Sequence, residues 1–420
     1  MWRNRDHNLW WSGAAVSALG TSVSRLAFPL LMLVATGSAA AAGVVGTCGS
    51  AALAAGLLPA GVAADRWSRR ALLTGASLTQ LATTGTVCWA VAAGRPWLSL
   101  VAALALVQGL ASAVFAGAAA PLVRRIVPRA QLKSAFARAG VRDHGAELAG
   151  APLGGTLFAL ARWAPFLADA LSYAAVAVAC LLIRTPLGPD PAERAARRPP
   201  LGRDLGAGLA FVRGVPFLRY TLVWSALTNL LFTGLAFMFV VALRHHGASS
   251  AQIGSAEGIA TACGLGGALA CGWVVRRVGG RRLVLLVSWM LVFGVAGLAP
   301  LAAWPWAAGL CLGASIVFVA PLNAVFGAAM VAVVPDAMAA RVLTSVNMAV
   351  QSCGWLAPVL CGALADAFGP GVPLITITAG LALLATANHL TPAAGRLDGT
   401  DATESGTAEP HADPDKHVTR

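Results

Sequence analysis

Charge is what this chain has least of. Of its 420 residues only 11% are charged, while 58% are apolar; an ordinary soluble domain carries about a quarter charged residues. So few charges cannot cover a globule in water, and a bilayer is the solvent that accepts such a composition. Other absences narrow the function. There is no Walker-type glycine loop and no His/Asp metal motif, so nucleotide hydrolysis and metal-assisted chemistry lack their usual parts. The eight cysteines fall inside apolar runs without the close paired spacing of a zinc site, and read as small packing residues. His245 and His246 are adjacent beside Arg244 with no acidic cluster near, a poor arrangement for holding one metal ion. No catalytic residues, cofactor or metal are expected, and the chain is not expected to be an enzyme.

What is present is a series of apolar runs. Twelve segments reach the roughly 20 residues that a membrane helix needs, over about 10–36, 40–64, 71–93, 97–123, 140–162, 165–184, 217–243, 251–275, 283–303, 305–334, 342–367 and 371–390. The first apolar stretch, Leu9 to Val34, is too long for the roughly 7–15-residue core of a signal peptide and is expected to stay as a span. With the N-terminus placed in the cytoplasm, 26 of the 30 Lys and Arg fall in cytoplasmic segments. Three fall outside (Arg95, Arg162 and Arg244), and Arg25 lies within the first span. That asymmetry predicts a multi-pass protein with both termini in the cytoplasm and an even helix count. It also accounts for the net charge of +13 as loops facing anionic lipid rather than a nucleic-acid groove.

The longest interior break separates the spans six and six. The expected organisation is a bundle over 1–184, a cytoplasmic linker over 185–216, a second bundle over 217–390 and a polar, disordered tail over 391–420. Within the linker, Leu205–Phe217 is amphipathic and is expected to lie on the membrane surface. The halves also repeat. Gly61-Val62-Ala63-Ala64-Asp65-Arg66 corresponds to the stretch from Gly272, Val127-Pro128 to Val334-Pro335, and Pro152 with Gly154 and Gly155 to Pro358 with Gly362, at offsets of 211, 207 and 206. Two six-helix repeats place a central site at their interface near the midplane.

The stretch Gly61 to Arg70 resembles the major facilitator superfamily loop signature G-x-x-x-D-R-x-x-R-R. The resemblance implies an all-α membrane fold of twelve helices in two six-helix pseudo-repeats, usually monomeric. It further implies a cytoplasmic gating latch formed by Gly61, Asp65, Arg66, Arg69, Arg70 and Arg341, with Gly61 allowing close helix approach. The second-half copy carries Arg276 where the Asp would be. Val127 to Leu132, Phe166-Leu167-Ala168-Asp169-Ala170-Leu171-Ser172-Tyr173 and Val334-Pro335-Asp336 resemble the branch of enterobactin exporters and macrolide-efflux-like proteins. That likeness implies export of organic molecules across a bacterial inner membrane, driven by protons. Two departures stand against it: Ala105 occupies the Arg position of the antiporter motif ending in Gln108-Gly109, and the G-P-x-x-G-G signature is one residue short at Ala151-Pro152-Leu153-Gly154-Gly155.

Polar residues at membrane depth are costly and usually face a cavity. Ser17, Thr21 and Arg25 share one face of the first span at spacing four. Arg25 either binds an anionic substrate group, pairs with an internal carboxylate or snorkels to the outer surface. Glu147 is the candidate proton carrier, or else a residue of the cytoplasmic mouth paired with Arg142 or Arg138. Asn229, Asn323, Asn347 and Gln351 are expected to touch substrate or glue helices together, with Trp224, Phe232 and Trp355 as aromatic walls. The function expected is proton-driven efflux of an amphipathic drug, siderophore or secondary metabolite. An uptake symporter of a small organic solute and a non-transporting sensor or scaffold remain open.

Overall fold

The computed structural model describes residues 4–185 and 201–391, and all regular structure within them is helical. The predicted tail from 392 and the linker stretch 186–200 lie outside the described residues. The first half comprises α1 (Arg5–Thr36), α2 (Ala39–Arg66), α3 (Arg69–Ala92), α4 (Leu98–Ile126), α5 (Leu132–Leu160) and α6 (Ala164–Leu182). The second half comprises α7 (Leu201–Gly214), α8 (Pro216–His245), α9 (Ser250–Leu269), α10 (Cys271–Arg277), α11 (Gly280–Leu301), α12 (Pro305–Ile316), α13 (Val319–Val333), α14 (Asp336–Gly354), α15 (Ala357–Phe368) and α16 (Gly371–Leu390).

Helix starts follow local chemistry. Ser38, Ser68 and Ser249 cap α2, α3 and α9 through their hydroxyls, satisfying amides that the helix itself leaves free. The spans of the first half run unbroken. Those of the second are interrupted: α9 and α10 meet at a 60° bend, α12 gives way to α13 at Val317–Phe318, and α14 to α15 at Trp355–Leu356. Leaving aside the short α7 and counting each interrupted pair as one rod gives twelve. Eight rods are apolar and long enough to cross a membrane, nine with the bent α9–α10 pair. The other three, α3, α5 and α14–α15, carry part of the gating loop and candidate site, among them Arg69, Arg70, Glu147 and Gln351.

Each half packs on itself, α1 against α5 and α6, α2 against α4, α9 against α12 and α11 against α16. The halves meet along two seams, α2 against α15 and α5 against α9. Exchange of the repeats converts one seam into the other, and the paired prolines do equivalent work. Pro152 of α5 abuts Gly258 of α9, while Pro358 of α15 abuts Gly43 and Gly46 of α2. Gly155 and Gly254 bring α5 and α9 so close that a Cβ on Gly254 would lie 3.0 Å from the Gly155 Cα. Small residues at such seams let helix backbones approach.

Three expectations are corrected. The amphipathic helix ends at Gly214 and Phe217 belongs to α8, where it is buried. α7 packs against α14, with Val212 buried. Trp224 is buried against Phe326, with ring centroids 5.2 Å apart, and is no cavity wall. Among the cysteines, Cys353 is exposed, so it is not a packing residue like Cys180 or Cys361.

Candidate functional site

Both seams lie at the end of the molecule opposite the described termini. At that distal end Asp366 of α15 reaches across to the N-terminus of α2. Its carboxylate accepts from Ser38 Oγ at 2.5 Å, the Ala39 amide at 2.8 Å and the Ala40 amide at 3.0 Å. A carboxylate at a helix N-terminus satisfies free amides and meets the positive end of the helix dipole. The repeat makes this asymmetric. Ser249, 211 residues after Ser38, caps α9 in a reciprocal box with Gln252 of its own helix, whereas α2 adds to its own Ser38 cap a carboxylate from the other half. Further in, Thr47 Oγ1 donates to the Trp355 carbonyl at 2.8 Å. A cavity of about 160 Å³ flanks the Asp366 latch, lined in part by Arg244 and His245.

Toward the terminal end the same rods part. A Cβ at Gly61, Gly140 or Gly145 would meet nothing within 4 Å. Gly61 therefore makes no close helix approach in this conformation. Arg66 is exposed and Arg69 buried, while Arg70 donates to the carbonyls of Ile183 and Thr185, tying α3 to the end of α6 within its own half. The side chains of Asp65 and Arg341 lie outside the described residues.

Between the closed seams and the open end stand two polar groups. In the first, Arg25 Nη1 of α1 lies 3.4 Å from Glu147 Oε1 of α5, and His144 Nδ1 lies 3.5 Å from Glu147 Oε2. Arg25 thus pairs with an internal carboxylate, one of the alternatives open to it, and Glu147 pairs with Arg25 rather than Arg142 or Arg138. Both side chains stay accessible, 58% and 42% exposed, as expected of groups facing a wet cleft. Glu257 of α9 enters from the other half, close enough to feel the charges of both. In the second group Asn229 of α8 donates to Gln351 of α14 at 3.4 Å, one turn from the Trp355 contact with α2. Asn323 and Asn347 are exposed and join neither group among the described residues.

A third network is buried inside the first half. Asp169 of α6 is 1% exposed and accepts from Ser24 Oγ at 2.6 Å, with Ser172 and Thr21 hydroxyls at 3.4 and 3.5 Å. Thr21 meets the Tyr173 hydroxyl at 2.9 Å, and Tyr173 accepts from Gln108 Nε2 at 2.9 Å. Thr83 donates to Gln108 Oε1. Thr21 and Gln108 therefore lead from the cleft to a sheltered carboxylate. Sequence reasoning passed over Asp169 and Glu257 as site residues, although each is a lone acid in an apolar run. The rule that singled out Arg25, a charge at membrane depth, applies to both.

Two six-helix halves touching along a pair of repeat-related seams is an arrangement shared with known proteins. The sequence model of the Major Facilitator Superfamily matches residues 10–358. The chain belongs to the Major Facilitator Superfamily. No curated protein matches the sequence. Among solved structures, that of the nucleoside transporter NupG has a TM-score of 0.72 at 14% identity, covering 92% of this chain and 98% of that one. A bacterial homologue of the human lysosomal transporter Spinster, inward-facing and unoccupied, has a TM-score of 0.68 at 14% identity, covering 94% and 97%. A bacterial homologue of the iron transporter ferroportin, inward-facing, has a TM-score of 0.68 at 15% identity, covering 94% and 98%. At such identities the likeness is one of fold. This major facilitator protein is a multi-pass membrane transporter of small molecules, not an enzyme.

Proposed function

We propose that this transporter exports amphipathic organic compounds in exchange for protons, working as a monomer in a bacterial cytoplasmic membrane with both termini inside. The observation that carries the reading is the polar cluster of Arg25, Glu147 and Glu257. It spans the two halves just inside a sealed distal end and faces an open terminal end. With the termini cytoplasmic, as the arginine distribution favours, this is the inward-facing state, loading from the cytoplasm. Rocking of one half against the other would break the Asp366 and glycine seams and close the terminal end around Gly61 and Asp65. Carboxylates at membrane depth supply the proton-carrying groups, Glu147 in the cleft and Asp169 behind Thr21. The likeness of 127–132, 166–173 and 334–342 to the enterobactin-exporter and macrolide-efflux branch supports export, and Asn229 and Gln351 supply hydrogen bonds to cargo.

The test is accumulation of a fluorescent dye by cells with and without the gene. Deletion raises accumulation if the protein exports and lowers it if it is an uptake symporter. No change across a panel of cationic, neutral and anionic dyes would leave the export reading without support.

A further inference from the structure

The cluster at the seam is not balanced in charge. Arg25 contributes one positive charge and is already engaged by Glu147 Oε1. Glu257 adds a second carboxylate. Its Oε2 is withdrawn from solvent and has no hydrogen-bond partner among the described residues. The next residue, Gly258, packs on Pro152, which has no amide hydrogen to offer. Of the helices packed on α9 in its own half, α12 and α13 hold no acidic, basic or histidine side chain, and the charges of α8 (Arg219, Arg244, His245) and α10 (Arg276, Arg277) sit at the ends of those helices. Across the seam the facing charges are Arg25 from α1 and Glu147 from α5, with His144 on the far oxygen of Glu147. A buried acceptor oxygen left unpartnered costs about 1–3 kcal/mol, and more if charged. The site is therefore one positive charge short.

We propose that Glu257 is the subsite for the cationic group of the cargo, and that a proton fills the place when cargo is absent. The exchange balances: a monocation enters, the proton on Glu257 leaves to the cytoplasm, and the net charge of the cluster is unchanged. An anionic group is disfavoured, because it would have to displace Glu147 from Arg25 and then face Glu257. The cargo class is thus a lipophilic organic monocation, such as a protonated amine or quaternary ammonium compound. This rests on the transport reading but not on its direction, so it is tested by binding to the purified full-length protein rather than by flux.

Infrared difference spectra of wild type against Glu257→Gln at neutral pH are expected to show a protonated carboxylic acid band belonging to Glu257. Addition of ethidium, tetraphenylphosphonium or a quaternary ammonium dye to wild type is expected to remove that band and release about one proton per bound cation into weak buffer. Glu257→Gln, which keeps the volume and a hydrogen-bonding group, is expected to bind these cations roughly tenfold or more weakly and to release none. Absence of the band in wild type, or persistence of the band when the cations bind, overturns the proposal. So does wild-type affinity in Glu257→Gln, or preference for neutral or anionic analogues of the same ring systems. A flux defect with normal binding and proton release would instead count against the export mechanism and leave the subsite standing.

Discussion

Replacing Asp366 with Ala removes a carboxylate that joins the halves at their closed end. Three donors lose their acceptor: Ser38 Oγ at 2.5 Å and the Ala39 and Ala40 amides at 2.8 and 3.0 Å. The Ser38 side chain still caps its own helix through the Ala41 amide at 3.0 Å, so α2 keeps its start. Hydrogen bonds to a charged acceptor contribute about 1.5–3 kcal/mol where water is excluded. The dipole contribution at an exposed helix end is about 0.3–1 kcal/mol. Much of this latch is exposed, so the three contacts together are taken as about 1–3 kcal/mol, a shift of roughly 5–150-fold toward distal opening. Spin labels at positions 95 and 304, in distal turns of opposite halves, read that shift as a longer distance population in pulsed dipolar spectroscopy. Asp366→Asn, which keeps an acceptor without the charge, should fall between the two. An unchanged distance distribution in Asp366→Ala would refute the assignment of this contact as the distal latch.

Glycines at opposite ends should separate the two states. Gly254→Val drives a side chain into the Ala151 and Gly155 backbone, costing about 1–3 kcal/mol or more and holding the distal end open, whereas Gly61→Val meets open space here and should trap the protein as described; label distances at each end check both. The Arg25–Glu147 pair is about half exposed, so Arg25→Ala should lower stability by no more than about 1 kcal/mol while abolishing transport. The Arg25→Glu, Glu147→Arg double exchange should recover part of that transport, and a large fall in melting temperature for Arg25→Ala would contradict the functional assignment. Asp169→Leu strands the Ser24, Ser172 and Thr21 hydroxyls without their acceptor and should cost about 1–3 kcal/mol. Asp169→Asn should retain most stability in a denaturation assay yet lose proton coupling.

The rods, their number and their repeat were legible because burial in lipid demands long apolar runs, and the Pro152/Pro358 correspondence became the matching points of the two seams. The helix interruptions were not legible. Pro321 and Pro358 follow the breaks at Val317 and Trp355 by four and three residues, but Pro29, Pro59 and Pro152 sit inside unbroken helices, so proline alone does not mark a break, and the bend at Ala270 has no proline near it. Long-range polar pairs were also hidden. Ser38 and Asp366 are 328 residues apart, and no local pattern announces their contact. Gly61 shows the converse limit: a loop motif reports a contact needed in one state, while the structure holds the other. Glu257 and Asp169 were within reach of the sequence, being isolated acids in apolar spans. What their side chains face follows only from how α9 and α6 turn in the packed bundle.

The proposed exchange requires that protons crossing between the two halves drive cargo the other way, with no other energy source. Purified protein in liposomes free of nucleotide, given only an imposed pH gradient, isolates that coupling. Gradient-driven movement of a lipophilic monocation that reverses when the gradient is reversed and is lost in Glu257→Gln is expected. Movement at an equal rate without a gradient, or none until ATP is supplied, would contradict it.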